Sequence, residues 1–274
     1  MIRPMLTEQM IQTFKEQGYV KGPKVLSDEQ VDVLRDEVLR VIADRDRKDI
    51  PQPVLCHNMG GKPETPIWQI VNIWMASEPF RNLVLSDTVA SLVANLIDAK
   101  ELRIWHDQIQ YKPAAGGGVN MWHQDSPYWG ILTPKDQQVT AWIALDDVDV
   151  ENGCMKMVPG SQHWGNTIEY LHTLKDFDDM EKVHEFRGHP VTVKTCPVRK
   201  GEVHFHHSLT WHGSGRNMSG RPRRAIALHF LTDQSRYVKG GSHTMHKFVT
   251  VNDGDVLKGD AFPLVWSAEP ATVS

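Results

Sequence analysis

Between residues 102 and 231 the chain is cut into short runs rich in β-branched and aromatic residues, and turn-forming residues close off each run. Residues 102–112 make the first, stopped by Pro113 and the Gly116-Gly117-Gly118 run. Residues 137–145 make another, followed by Asp146-Asp147 and Glu151-Asn152-Gly153, and shorter runs continue over 154–158, 191–198, 202–211 and 224–231. Such residues suit a pleated, half-buried surface, and the glycines, prolines and Asx residues between them turn the chain back. Strands at this density predict a mainly β protein whose antiparallel sheet closes into a sandwich or barrel.

The first hundred residues follow a different period. Ser27 and Gln30 are spaced as a capping box ahead of Val31, Leu34, Val38, Val41 and Ile42, and Ser86 precedes Val89, Leu92, Val93, Leu96 and Ile97. Both sets recur as one face of a helix. They are expected to pack on the outside of the barrel, because apolar stripes of that size are a liability in water. Residues 51–66, rich in Pro and Gly, and 162–190, charged and weakly patterned, read as long loops overhanging the barrel mouth. A length of 274 residues fits one domain, with 1–100 a mainly helical flank, 101–232 the barrel core and 233–274 a C-terminal extension.

Within the β region, His123 and Asp125 sit two apart in Met121-Trp122-His123-Gln124-Asp125. Residues i and i+2 of a strand share a face, so one imidazole and one carboxylate can grip the same ion. With 14 histidines and 34 acidic residues in the chain a lone His-x-Asp means little, and His57, His106, His163, His172, His184, His189 and His229 read as surface or core residues. A second histidine from a distant strand would complete a three-ligand face and leave the other side of the metal open, the donor set of non-haem Fe(II) oxygenases. His204, His206 and His212 share one parity and His207 the other, so periodicity alone does not choose among them. After His212, Gly213 and Gly215 suit a sharp turn. Arg221, Arg223 and Arg224 then open the next run, and a guanidinium beside a metal is a natural bidentate clamp for a carboxylate.

Four stretches in order strengthen this: Trp122-His123-Gln124-Asp125; Ala141-Trp142; Asn152-Gly153-Cys154 with Val158-Pro159-Gly160-Ser161; and His212-Gly213-Ser214-Gly215-Arg216-Asn217 through Arg223-Arg224-Ala225-Ile226. Together they resemble the phytanoyl-CoA hydroxylase (phytanoyl-CoA dioxygenase) family of Fe(II)- and 2-oxoglutarate-dependent oxygenases, over residues 100–232. The resemblance implies a double-stranded β-helix, the jelly-roll or cupin-like barrel. It implies that His123, Asp125 and His212 bind Fe(II), and that Arg223, with Ser214 in support, holds the distal carboxylate of 2-oxoglutarate. Trp142 and Gln108 would wall the cosubstrate pocket. Arg221 and Arg224 are rivals of Arg223 that only family spacing sets aside. Tyr128 and Trp129, beside the metal pair, and Gln69 are candidates for contact with substrate.

The chemistry explains these residue types. Three protein ligands leave three positions for the keto acid and O2, whereas a four-ligand structural zinc site leaves none. Oxidative decarboxylation to succinate and CO2 then powers attack on an unactivated C–H bond, the metal supplying the hard step. Related halogenases carry a small residue where Asp125 stands, so hydroxylation or another oxidation is favoured over halogenation. The expected substrate is a small, largely apolar metabolite. The alternatives are an acyl-CoA 2-hydroxylase of phytanoyl-CoA type, a barrel that binds metal and 2-oxoglutarate only to sense them, and a zinc hydrolase, which would have no use for the guanidinium.

Composition excludes other classes. A net charge of -4 gives no reason to expect nucleic-acid or acidic-membrane partners, and no run approaches 18 apolar residues. Cys56, Cys154 and Cys196 lack any Cys-x-x-Cys pairing, which suits a reducing, cytoplasmic setting. The opening residues show no charged-then-apolar signal, and the Gly116–Gly118 run lacks the context of a nucleotide cradle.

Overall fold

The computed structural model describes residues 5–114 and 116–268. Alternation along four neighbouring strands sets the way the fold faces. In Gln138–Ala144, Val139, Ala141 and Ile143 enter an apolar core with Val203 and Phe205 of Glu202–His207, Ile226, Leu228 and Phe230 of Arg223–Thr232, and Ile109 of Glu101–Lys112. Residues of the other parity carry the chemistry: Thr140 and Trp142, His204 and His206, Arg223 and His229, and His106, Gln108, Gln110 and Lys112.

These strands are the middle of an eight-stranded antiparallel sheet. Its order is Tyr19–Lys24, Glu202–His207, Gln138–Ala144, Arg223–Thr232, Glu101–Lys112, Trp68–Val71 and Leu55–Asn58, with Leu264–Ser267 added beside the start of Glu101–Lys112. A second sheet runs Lys194–Cys196, Met155–Met157, His212–Ser214, Asn120–His123. The architecture is the mainly β jelly roll that the strand pattern and the family resemblance lead one to expect.

The helices cover the apolar face of the large sheet. Asp28–Ala43 starts on the capping box, with the Gln30 N–H donating to Ser27 Oγ at 3.2 Å and the Ser27 N–H to Gln30 Oε1 at 2.9 Å. Ser86 caps Asp87–Ile97. A cap contributes about 1 kcal/mol. Burial contributes more, at about 1.5–3 kcal/mol for each Val or Leu, and Val31, Leu34, Val38, Val41, Val89, Leu92, Val93 and Leu96 are all buried in the shared core.

Several elements depart from the sequence reading. The large sheet recruits strands from outside 101–232, and 51–66, expected as loop, contains the edge strand Leu55–Asn58. Helices Glu8–Gln17 and Glu78–Val84 also lie in the flank. Residues 202–211 are not one strand: Glu202–His207 belongs to the large sheet and His212–Ser214 to the small one. The C-terminal extension is part of the core, since Tyr237, Met245, Leu257 and Phe262 pack with Trp105 and Trp129. Residues 162–190 hold the short helix Ile168–Leu171 and a two-residue hairpin, and pack around Trp122 and Trp211. No helix among the described residues is long and apolar enough to cross a membrane.

Candidate metal centre

Strand pairing brings the two outer ligands together. His123 and His212 are direct register partners in the small sheet, with ring centroids 4.1 Å apart. Gly213 permits the close approach, because a Cβ there would stand 3.0 Å from the Asn120 carbonyl oxygen. Its role is clearance within a strand, not the turn expected of it. Trp122 anchors the facing strand from inside, its Nε1–H donating to the Phe177 carbonyl at 2.8 Å. Asp125 lies just past the strand end, held by its N–H donating to Ser208 O at 2.9 Å. One ligand atom from each of His123, Asp125 and His212 lies within 4.8 Å of the others, an arrangement that could hold a metal ion.

Hydrogen bonds behind the three side chains decide which atoms face inward. His123 Nδ1–H donates to Met121 O at 2.7 Å and His212 Nδ1–H to Thr210 O at 2.9 Å. Each imidazole is thereby fixed in the tautomer that keeps an Nε2 lone pair for a metal. Both Nε2 atoms approach Asp125 Oδ1, at 3.6 Å from His123 and 3.4 Å from His212. Asp125 Oδ2 is occupied: Thr140 Oγ1–H donates to it at 2.9 Å and His206 Nε2–H at 3.1 Å. His229 Nδ1–H in turn donates to Thr140 Oγ1 at 2.8 Å. Burial alone would raise Asp125, but His212 and the bond from His206 outweigh it and hold the carboxyl well below its ordinary range. Burial, aided by the His212 charge, pushes His123 down to about 3, so it stays a neutral donor.

The geometry also sets the rival histidines and arginines in different surroundings. His206 shares Asp125 but sits behind it, and His204 stacks on Tyr19 at 5.6 Å with neither ring nitrogen bonded. The parity argument fails because His212 is on a different sheet. Among the arginines, Arg221 pairs with Asp149 at 2.6 Å and Arg224 grips Asp146 with two bonds of 2.9 Å. Arg223 is wholly buried, stacks over Trp142 at 4.9 Å, and leaves all three side-chain nitrogens unbonded. A buried guanidinium without a partner is rare and costly unless an anion fits against it. Arg223, Trp142, Ser214 and Gln108 line one narrow cavity with His123, Asp125 and His212.

A family model described as phytanoyl-CoA dioxygenase matches residues 14–225. The chain belongs to the phytanoyl-CoA dioxygenase family. It is an Fe(II)- and 2-oxoglutarate-dependent oxygenase, and the donor set and the orphaned guanidinium fit those two groups. This family member is 26% identical over 254 residues to the peroxisomal phytanoyl-CoA dioxygenase of Rattus norvegicus, covering 84% of this chain and 70% of that protein. It is 32% identical over 127 residues to the Bos taurus enzyme of the same name, covering 42% of this chain and 34% of that protein. Among solved structures, the non-haem α-ketoglutarate-dependent carbocyclase SnoK from nogalamycin biosynthesis is 26% identical. Its TM-score is 0.76, covering 95% of this chain and 97% of that one.

This phytanoyl-CoA dioxygenase family member also has a second, larger cavity of about 750 Å³ that shares His123, Asp125, Gln108, Gln110, Asn120 and His229 with the first. Gln69, Tyr128 and Trp129 line it, as do His106, His172 and His229. His106 and His229 are core residues and His172 a surface one, as the sequence reading has them, and all three also border this cavity. Ser214 differs from expectation in its partners: its Oγ accepts from Lys112 Nζ at 2.7 Å and donates to Asn120 Oδ1 at 3.2 Å. Lys112 was not singled out by any motif. Its one sequence signal is parity with His106, Gln108 and Gln110, which placed a lysine on an inward face.

Proposed function

We propose that this oxygenase hydroxylates, or otherwise oxidises, an unactivated C–H bond of a small, largely apolar metabolite, while 2-oxoglutarate and O2 become succinate and CO2. One observation carries the reading: three convergent donors adjoin a buried guanidinium whose nitrogens have no hydrogen-bond partner among the described residues, beneath a cavity large enough for a small molecule. His123 Nε2, His212 Nε2 and Asp125 Oδ1 would hold Fe(II), which when bound supplies the oxygen activation that no side chain offers. The carbonyls of Met121 and Thr210 keep the two imidazoles oriented, and Thr140 and His206 hold the carboxylate to one free oxygen. Arg223 would dock the distal carboxylate of 2-oxoglutarate, with Ser214 beside it, Trp142 as a wall and Gln108 at the cavity junction. Tyr128, Trp129 and Gln69 would meet the substrate.

Tailoring of a natural product in a cytoplasmic setting suits the likeness to SnoK and the three free cysteines. Acyl-CoA 2-hydroxylation is the second reading, supported by the names of the rat and bovine relatives. Succinate formation from 2-oxoglutarate with Fe(II), measured across natural-product scaffolds and acyl-CoAs, separates the two. An absence of both substrate-linked and uncoupled succinate would remove the oxygenase assignment of these residues.

A further inference from the structure

The wall of the larger cavity says more about the substrate than its volume does. Gln69 and Gln110 are register partners on neighbouring strands, and Val71 pairs with Gln108, so three carboxamides stand on one patch of sheet. Asn120, on the small sheet, adds a fourth. These amides are only lightly used within the protein. Gln69 Nε2–H donates to Gln108 Oε1 at 3.0 Å and Asn120 Oδ1 accepts from Ser214, while Gln110 has no side-chain partner among the described residues. The remaining ends, Gln69 Oε1, Gln108 Nε2, Asn120 Nδ2 and both ends of Gln110, form a mixed row of donors and acceptors beside the metal pair.

Rings make up much of the remaining lining. Trp129 meets His229 at 5.1 Å and His106 at 5.9 Å, both edge to face, and His106 stacks on His243 at 5.3 Å. Met59, Met121 and Leu174 add adaptable apolar surface. Among the described lining residues there is no lysine or arginine, and Asp125 is the only carboxylate. Burial pushes His243 down to about 4 and His106 well below its ordinary value, so these rings are neutral near pH 7.

We infer that the substrate is an uncharged, multiply oxygenated ring system, lying flat against the Trp129 side with its hydroxyl and carbonyl edge along the amide row of Gln69, Gln108, Gln110 and Asn120. This rests on the oxygenase reading and narrows it. A carboxylate or phosphate in this cavity would give up water and meet no lysine or arginine among the described lining residues, a cost that a neutral hydroxyl or ketone with amide partners avoids. A cavity of about 750 Å³ holds a drug-sized polycycle.

A matched pair of probes tests it: a dihydroxyanthraquinone carboxylic acid and its methyl ester, which differ in one charge. Calorimetric binding to the full chain, loaded with Fe(II) and 2-oxoglutarate under nitrogen, should favour the ester by about tenfold or more, and decanoyl-CoA should bind no better than the acid. In Gln110→Lys the preference should reverse, since the new ammonium would meet the acid. The wild-type comparison decides alone: acid binding as well as ester, or neither binding below about 1 mM, overturns the inference. Admitting air tests the underlying reading separately. An ester that binds preferentially, with no succinate formed in its presence or from 2-oxoglutarate alone, counts against the oxygenase assignment and leaves the preference of the cavity for a neutral oxygenated ring system standing.

Discussion

Arg223 and Lys112 are direct register partners on antiparallel strands, both wholly buried, and neither forms a salt bridge among the described residues. Lys112 Nζ is satisfied by neutral acceptors: Ser214 Oγ at 2.7 Å, Ser214 O at 3.1 Å and Gly215 O at 2.7 Å. Burial, with the Arg223 charge second, holds Lys112 well below its ordinary pKa, and burial lowers Arg223 to about 10. Charging Lys112 beside the Arg223 guanidinium, with no anion paired to either among the described residues, disfavours the folded chain. The arrangement becomes favourable when a dicarboxylate completes it, which ties the local electrostatics to cosubstrate binding.

Binding of 2-oxoglutarate should therefore take up a proton. The free protein disfavours charged Lys112, and an anion docked nearby restores it. Affinity should strengthen as pH falls, until Lys112 is already charged before binding. Calorimetry at mildly alkaline pH in two buffers of different ionisation enthalpy measures the uptake directly. Lys112→Met should abolish it and weaken binding by roughly tenfold. Unchanged uptake in the variant would mean that Lys112 only braces Ser214.

The neighbouring arginines should fail in opposite ways. Arg223→Ala removes the unpaired guanidinium and should raise the KM for 2-oxoglutarate by about two orders of magnitude, with little change in thermal stability. Arg224→Ala breaks the two-bond contact to Asp146, which also pairs with Arg35 at 2.8 Å. It should lower Tm by a few degrees and leave that KM nearly unchanged. The reverse pattern in steady-state kinetics and melting curves would transfer the docking role to Arg224.

What is legible in the sequence is what is local. His123 and Asp125 share one short segment, and strand composition marks the β class. Ser27 with Gln30 marks a helix start because both partners lie within one turn. The partners of Asp125 are not local: Thr140 and His206 reach it from two other strands, and only the register of the large sheet places them there. His243 escaped notice because residues 233–268 carry little regular period, although they pack on Trp105 and close one end of the cavity. Parity could not choose among His204, His206 and His212, since a turn after His207 moves the chain to the other sheet before His212.

Thr140 should matter to metal affinity without touching metal. Its hydroxyl donates to Asp125 Oδ2 and accepts from His229 Nδ1, so Thr140→Val frees the carboxylate to rotate and strands two buried polar groups. Fe(II) affinity, titrated without O2, should fall by about 10–100-fold, as for other residues that orient metal ligands. Thr140→Ser, which keeps the hydroxyl, should recover most of it. Equal affinity in Val and Ser variants would show that strand packing alone positions Asp125.

Asp107 should make stability depend on pH far from the metal. It is fully buried and accepts from the Ile73 N–H at 3.1 Å and the Trp74 N–H at 3.4 Å, tying the Glu101–Lys112 strand to the turn after Val71. Burial raises its pKa from 3.8 to about 7 despite those two bonds. The folded chain then binds more protons than the unfolded chain between these two values, so this group's contribution to stability is greatest at the acid end. It declines as pH rises towards 7, by at most about 1.4 kcal/mol per pH unit, and is level above that. Asp107→Asn keeps an acceptor for Ile73 and cannot ionise. Relative to wild type it should gain stability as pH rises from about 4.5 to about 7.5 in urea unfolding. If the difference between the two proteins is the same at both ends of that range, the carboxyl is already ionised throughout, with the two backbone donors outweighing its burial.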